Sequence, residues 1–313
     1  MAPNSTYDNS NRWMHRFACF LAFATFVLIV AGASVTSHRA GLSVPDWPTT
    51  YGQFMFSFPT SKWVGNILYE HGHRLIASTV GILTIILAFW LVRRESRRWV
   101  RGLGIVALAA VIAQGILGGL TVRFMLPPAI SIAHAGLAEM FFCITVSLAF
   151  FTSERWKQGP PAVEMANATF VRRLCLASTI AVYCQILLGA AVRHAETGLL
   201  AHVFGAGLVF ACVVASVAAI LFAVKQAGFL RNALLLLFLI TAQMALGLLT
   251  LIARLPKNAP EQPSALQVFL PTAHLALGAL ILATSLAIAL KAYRFLAPPK
   301  EVTAMPFAAG ALS

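Results

Sequence analysis

The sequence predicts an all-α integral membrane protein. Its eight transmembrane helices are expected to form two tandem, pseudo-symmetric four-helix bundles, with both termini cytoplasmic. Three observations carry that expectation. First, of 313 residues 59% are hydrophobic and only 11% charged, with mean hydropathy +0.81. A soluble domain carries about 25% charged residues, so soluble enzymes, disordered tails and nucleic-acid modules are excluded. Second, eight apolar runs reach the roughly 20 residues needed to cross hydrocarbon. Third, one pattern of Gln, Gly, Arg and His recurs along the chain, as in tandemly repeated hairpins.

The runs are 17–36, 67–92, 102–121, 131–151, 174–192, 199–223, 232–252 and 268–290. The first ends near Ala31-Gly-Ala33, a small-residue site of the kind signal peptidases cut. Its apolar stretch is too long for a signal-peptide core, so it reads as a retained span. The first sixteen residues hold just Arg12 and Arg16 as Lys or Arg, which poorly suits a mitochondrial transit peptide. The expected divisions are a cytoplasmic segment 1–16, an N-terminal half 17–151, a cytoplasmic linker 152–173, a C-terminal half 174–290 and a cytoplasmic tail 291–313. Beyond Lys300 the tail reads as disordered. The long outer loop 37–66 carries Pro45, Pro48, Pro59, Trp47 and Trp63, whose aromatics suit a membrane interface. A second outer loop, 253–267, is polar and proline-rich.

The net charge of +13 tests the topology. With the N-terminus inside, 16 of the 23 Lys and Arg residues fall on the inner side, Arg93, Arg94, Arg97, Arg98 and Arg101 among them. That satisfies the positive-inside rule, so the basic excess reports orientation and implies no nucleic-acid partner. The five cysteines (Cys19, Cys143, Cys175, Cys184 and Cys212) all lie in apolar runs and read as free thiols.

The repeat places chemistry at recurring positions. Gln114 precedes Gly118 and Arg123; Gln185 precedes Gly189 and Arg193; Gln243 precedes Gly247 and Arg254. The following spans open with His134, His202 and His274. A looser first copy holds Gly32, Arg39 and His73. Ionisable groups inside a membrane are costly, and four histidines at matching depth in the outer half point to metal or haem ligation. A zinc site would want cysteine or carboxylate close by. One histidine per helix, two per half, with small residues at Ala135-Gly136, Gly205-Ala206 and Gly278-Ala279, suits axial haem ligation in a four-helix bundle. The glycines also fit plain close packing of helices. The pairs would be His73 with His134 and His202 with His274.

Glu70 breaks the symmetry. Glu70, His73 and Arg74 share a helical face, whereas His71 points elsewhere. Leu199 and Pro271 stand at the matching positions before His202 and His274. The half with the carboxylate reads as the reaction site and the other as electron storage. An ordinary Glu70–Arg74 helix pair, favourable by about 0.2–0.5 kcal/mol, is the plain alternative. Glu139, deeper in span four, reads equally as a proton relay, a second carboxylate or a protonated packing residue. Arg39, Arg74, Arg123, Arg193 and Arg254 are candidate partners for haem propionates, or else interfacial anchors.

This pattern resembles the haem A synthase family. The matching elements are Gly41-Leu-Ser-Val-Pro-Asp-Trp-Pro48, Glu70-His-Gly-His-Arg74, His134-Ala-Gly136, His202 and His274, within an eight-span layout covering about 15–295. The resemblance implies an enzyme that oxidises a porphyrin methyl of haem O to the formyl of haem A, by successive hydroxylations and loss of water. It implies that His202 and His274 ligate a permanent haem b that passes electrons. It implies that His73 and His134 hold haem O, and that Glu70 is the functional carboxylate. Some members carry two cysteines flanking Pro-Asp-Trp-Pro; here Val44 and Thr50 stand there, as in a cysteine-free branch, and the loop is expected to be held by Trp47, Pro45 and packing alone. The implied partners are haem O, haem O synthase, cytochrome oxidase assembly factors, an electron donor of unspecified kind and the lipid bilayer, with a homo-oligomer compatible. The implied location is the cytoplasmic membrane of a bacterium, haem sites in its outer half. A di-haem cytochrome b exchanging electrons with quinone fits the histidines equally but leaves Glu70 unexplained. A haem or drug transporter would want broken midplane helices, and no span has a central proline.

Overall fold

The computed structural model describes residues 5–224, 227–254 and 262–299, with side chains from Arg12 onward except at 223, 227 and 254. The long helices are α1 (Ser5–Ser37), α2 (Asn66–Arg94), α3 (Arg98–Arg123), α4 (Pro128–Thr152), α6 (Ala168–His194), α7 (Leu199–Ala223), α8 (Ala227–Arg254) and α9 (Ala265–Phe295). These eight are long and apolar enough to span a membrane, and the chain is an all-α integral membrane protein. Between α4 and α6 lie the short helix α5 (Glu154–Gln158) and strand β1 (Val163–Glu164), which pairs in parallel with β2 (Leu296–Ala297).

Local chemistry sets several helix ends. Pro128 opens α4, where its missing N–H is no loss. A reciprocal capping box of Ser264 and Gln267 starts α9. Gly198 reverses the chain into α7 with φ 77°, a left-handed conformation that glycine adopts without cost. At its N-terminus α1 reaches beyond the apolar run 17–36, because the polar residues before it extend an already formed helix one bond at a time. The linker and the residues after 290 are joined by β1–β2, while the expected disordered stretch beyond Lys300 lies outside the described residues.

The packing closes two rings. Helix α1 lies on α2 and α4, and α3 lies on the same two; α6 and α8 lie likewise on α7 and α9. Each ring has its own core: Met14, Leu21, Leu87, Leu91 and Leu148 in the first, Val213, Ile220, Leu236, Ile281 and Ile288 in the second. A small cluster of Ile29, Phe142 and Ala279 fills the seam, where α1 meets α9 and α4 meets α6 and α9. The outward faces carry large exposed apolar side chains such as Phe204, Phe222 and Phe238, which a lipid solvent covers and water would not. The five cysteines are free thiols.

At the end of the bundle away from the 38–65 loop, the Glu95 side chain is 2% exposed and ion-paired with Arg97 and Lys157. Arg97 also donates to Phe151 O at 2.6 Å, tying the α2–α3 turn to α4. Burial pushes the Glu95 carboxyl up, but the hydrogen bonds and charge of Arg97, aided by Lys157, outweigh it and hold it at about 2.

Candidate functional site

Each hairpin sets a histidine of its second helix against a glycine of its first. A Cβ built on Gly32 would stand 3.1 Å from His73 Nε2, and one on Gly118 3.4 Å from His134 Cε1. On Gly189 it would stand 3.1 Å from His202 Cε1, and on Gly247 3.0 Å from His274 Cε1. Carbon atoms at rest sit about 3.5–4.0 Å apart, so each imidazole occupies a slot that a larger residue would crowd.

Four residues before three of these glycines stands a glutamine that reaches the same histidine. Gln114 Nε2 donates to His134 O at 2.9 Å, Gln185 Nε2 to His202 O at 2.7 Å, and Gln243 Nε2 to His274 O at 3.1 Å. Gln185 Nε2 also lies 3.0 Å from His202 Nδ1. In the first hairpin the matching position is Leu28, which cannot form this bond.

Inside the second ring, His202 and His274 face each other with ring centroids 6.3 Å apart and planes at 78°. Two metal–nitrogen bonds of about 2 Å, plus the radii of two five-membered rings, come to that span. In the first ring, His134 Nδ1 is buried without a hydrogen-bond partner among the described residues. The paired imidazoles of the second ring, and the slotted His73 and His134 of the first with the unsatisfied His134 Nδ1, are donors that a haem in each ring would take. Among the described residues no group of three or more His, Cys, Asp or Glu forms a compact metal cluster. Two other histidines are held by the protein itself: His15 Nδ1 lies 3.0 Å from Ala149 O, and His38 stacks on Tyr69.

The 38–65 loop is fastened over the first ring by polar bonds, which corrects the expectation of packing alone. Glu70 Oε2 accepts from Val44 N at 2.8 Å and Oε1 from the Arg74 guanidinium at 2.6 Å. Arg74 donates further to the carbonyls of Asp46 at 2.6 Å, Thr49 at 3.1 Å and Val44 at 2.9 Å. Both side chains are buried, at 5% and 9% exposure. Buried polar groups need such partners, and the loop backbone supplies them. Arg74 is therefore a loop anchor, with its guanidinium bonded to Glu70 and to three loop carbonyls. His71, turned away from His73 as its spacing requires, is wholly buried, with Nδ1 3.1 Å from Thr50 Oγ1 and its ring against Phe58 and Trp63. Val44 and Thr50, at the positions where cysteines were the family alternative, are both fully buried anchor points.

Asp46 ties the loop to itself, accepting from Tyr51 N at 2.7 Å, from Gly52 N at 2.8 Å and from the Thr49 hydroxyl. Burial pushes its carboxyl up, but the bonds from Thr49, Gly52 and Tyr51 prevail and hold it below the usual carboxylate range. Trp47 lies flush on α3: a Cβ on Gly119 would meet its ring at 2.6 Å. Sequence reasoning missed the anchoring roles of Asp46, Thr50 and His71; only the Pro-Asp-Trp-Pro motif hinted at the first.

The remaining candidates divide. Arg39 and Arg123 are exposed at the loop end of α1 and α3. Arg193 crosses the seam, donating to Ala33 O at 2.6 Å and Ser37 Oγ at 2.8 Å on α1. The side chain of Arg254 lies outside the described residues. Glu139 is 4% exposed, and its Oε2 has no hydrogen-bond partner among the described residues.

Two helical rings spanning the membrane, each with two histidines slotted against glycine, define the class: a multi-pass helical membrane protein with slotted imidazoles in both bundles. The chain belongs to the cytochrome oxidase assembly protein family, which matches residues 15–205. The match includes Glu70, His73, His134 and His202, whereas His274 lies beyond it. The protein named Heme A synthase in Halalkalibacterium halodurans is 29% identical over 192 residues, 59% of this chain and 62% of its own length. That of Shouchella clausii is 29% identical over 194 residues, 60% and 62%. That of Brucella anthropi is 29% identical over 162 residues, 50% and 43%. The alignment thus spans 62% of the length of the first two relatives.

Proposed function

We propose that the chain is a membrane oxidoreductase that oxidises a porphyrin methyl of haem O to the formyl of haem A, as the names of its relatives suggest. The observation that carries this reading is the recurring glycine–histidine contact, which gives each ring two slotted imidazoles. His202 and His274 hold a haem b; His73 and His134 hold haem O. The bound haem would supply electron transfer at its iron, and turning the methyl into a formyl, a four-electron oxidation by two hydroxylations and loss of one water, would draw on an external oxidant.

The chain's own residues orient and shield that chemistry. Gly32 and Gly118 admit the rings of His73 and His134. Glu70, three residues before His73, is a carboxylate fixed by Val44 and Arg74, and in this reading it holds or moves a proton at Oε1 or Oε2 during oxidation of the methyl. The fastened loop excludes water from the first ring. Arg39 and Arg123, exposed at the loop end of α1 and α3, are placed where propionates would be met. In this reading the loop lies on the outer face of a bacterial cytoplasmic membrane with both termini inside, which the positive-inside distribution supports, and the recurring glycine–histidine contacts support two pseudo-symmetric halves. Haem O synthase and cytochrome oxidase assembly factors are the partners this reading implies, with an electron donor on the haem b side.

The test is expression with and without a haem O synthase, followed by extraction and chromatography of the haems. Haem A only in co-expressing cells is the expected result. Haem b retained by the protein with no haem A in either case would overturn it and favour a di-haem cytochrome.

A further inference from the structure

The four hairpins share one design with one omission. Three histidines are strapped: a glutamine amide one turn before the glycine slot bonds the histidine's own carbonyl, at 2.7–3.1 Å. A carbonyl in a helix has a second lone pair, so the strap adds a bond between neighbouring helices without breaking the helical one. It fixes the height and rotation of the residue whose ring fills the slot. His73 lacks the strap, because Leu28 occupies the glutamine's place and packs apolar against the first core. His73 also sits differently: it presents Nε2 to its glycine, whereas the other three present Cε1.

We infer that His73 is the exchangeable position of the four, and that Gln114, Gln185 and Gln243 are positioning residues that fix the other three. This rests on the proposed function, in which one haem is resident and the other must enter and leave. A substrate site needs one ring that yields; a storage site needs two that do not. The second ring has straps on both its histidines, and Gln185 touches the ring nitrogen of His202 as well. The first ring has a strap only on His134. The asymmetry separates the two halves by mobility of the ligand, independently of Glu70.

The experiment follows haem loss from the full chain, purified in detergent with the haem it carries, to excess apomyoglobin. Wild type is expected to lose haem in two phases. Leu28→Gln, which installs the missing strap, should slow the fast phase by about three- to tenfold, the equivalent of one net hydrogen bond, and leave the slow phase alone. Gln185→Leu should speed the slow phase by a similar factor and leave the fast one alone. Low-spin electron paramagnetic resonance signals recorded alongside report which imidazole pair is affected. A single phase in wild type, an unchanged fast phase in Leu28→Gln, or a Gln185→Leu effect confined to the fast phase would overturn the inference. Wild type that carries no haem at all would instead sink the proposed function. Because Leu28→Gln adds a bond, a destabilised fold cannot mimic its expected result.

Discussion

Replacing Glu70 by Gln should release the 38–65 loop, and the size of the effect tells a buried clamp from a surface ion pair. The carboxylate accepts two hydrogen bonds, from Val44 N at 2.8 Å and Arg74 at 2.6 Å, and both charged side chains are under 10% exposed. Bonds to a charged group contribute about 1.5–3 kcal/mol each. An amide of the same size keeps one neutral acceptor but turns an N–H donor toward Val44 N or Arg74. The loss comes to about 3 kcal/mol, at the low end of the 3–5 expected for wholly unpairing a buried charge, because three loop carbonyls still bind Arg74. That is about a hundredfold in the loop's opening equilibrium. Hydrogen exchange read by mass spectrometry over peptides spanning 43–53 should rise by that factor in Glu70→Gln. An exposed i,i+4 pair would contribute only about 0.2–0.5 kcal/mol, about a twofold change. Exchange within twofold of wild type would refute the clamp. Arg74→Gln serves as the companion: it also loses the bonds to the three loop carbonyls, and should open the loop at least as far. If both variants lose haem A formation equally, Glu70 acts only through the loop; a deeper loss in Glu70→Gln places it in the proton chemistry.

Other expectations follow from single contacts. Gly189→Val and Gly247→Val put branched carbons where a Cβ already stands 3.1 and 3.0 Å from an imidazole, so each should abolish the low-spin haem signal of the second ring while the apolar helices still assemble. Retention of that signal would contradict the slot. Arg193→Gln removes donors that bind α6 to α1 across the seam, and should lower the thermal midpoint in detergent by an amount equivalent to about 1–3 kcal/mol. No shift would mean that apolar contacts hold the rings unaided. Glu95, held at about 2 when folded against an ordinary 4.5, contributes stability that is present above about pH 4.5 and lost as pH falls toward 2. The full contribution is at most roughly 3 kcal/mol. The thermal midpoint should fall across that window in wild type and stay flatter in Glu95→Gln.

The sequence by itself determined the spans, because run length and hydropathy are properties of contiguous residues and hydrocarbon has one thickness. It also determined which residues recur, since the Gln-to-Gly spacing of four puts both on one helical face whatever surrounds them. The four histidines and Glu70 were legible for the same reason. Tertiary structure alone decided what those residues touch. Val44 meets Glu70 across 26 positions, and Arg193 meets Ala33 across 160; no local pattern encodes such pairs. Arg74 reads from sequence as an interfacial cation, yet the folded loop surrounds it with carbonyls. Leu28 reads as one more apolar residue until the aligned hairpins show that it stands where the others carry a glutamine. Spacing along one helix is fixed by the backbone, whereas contact between helices is fixed by which faces pack, and that is decided only when the rings close.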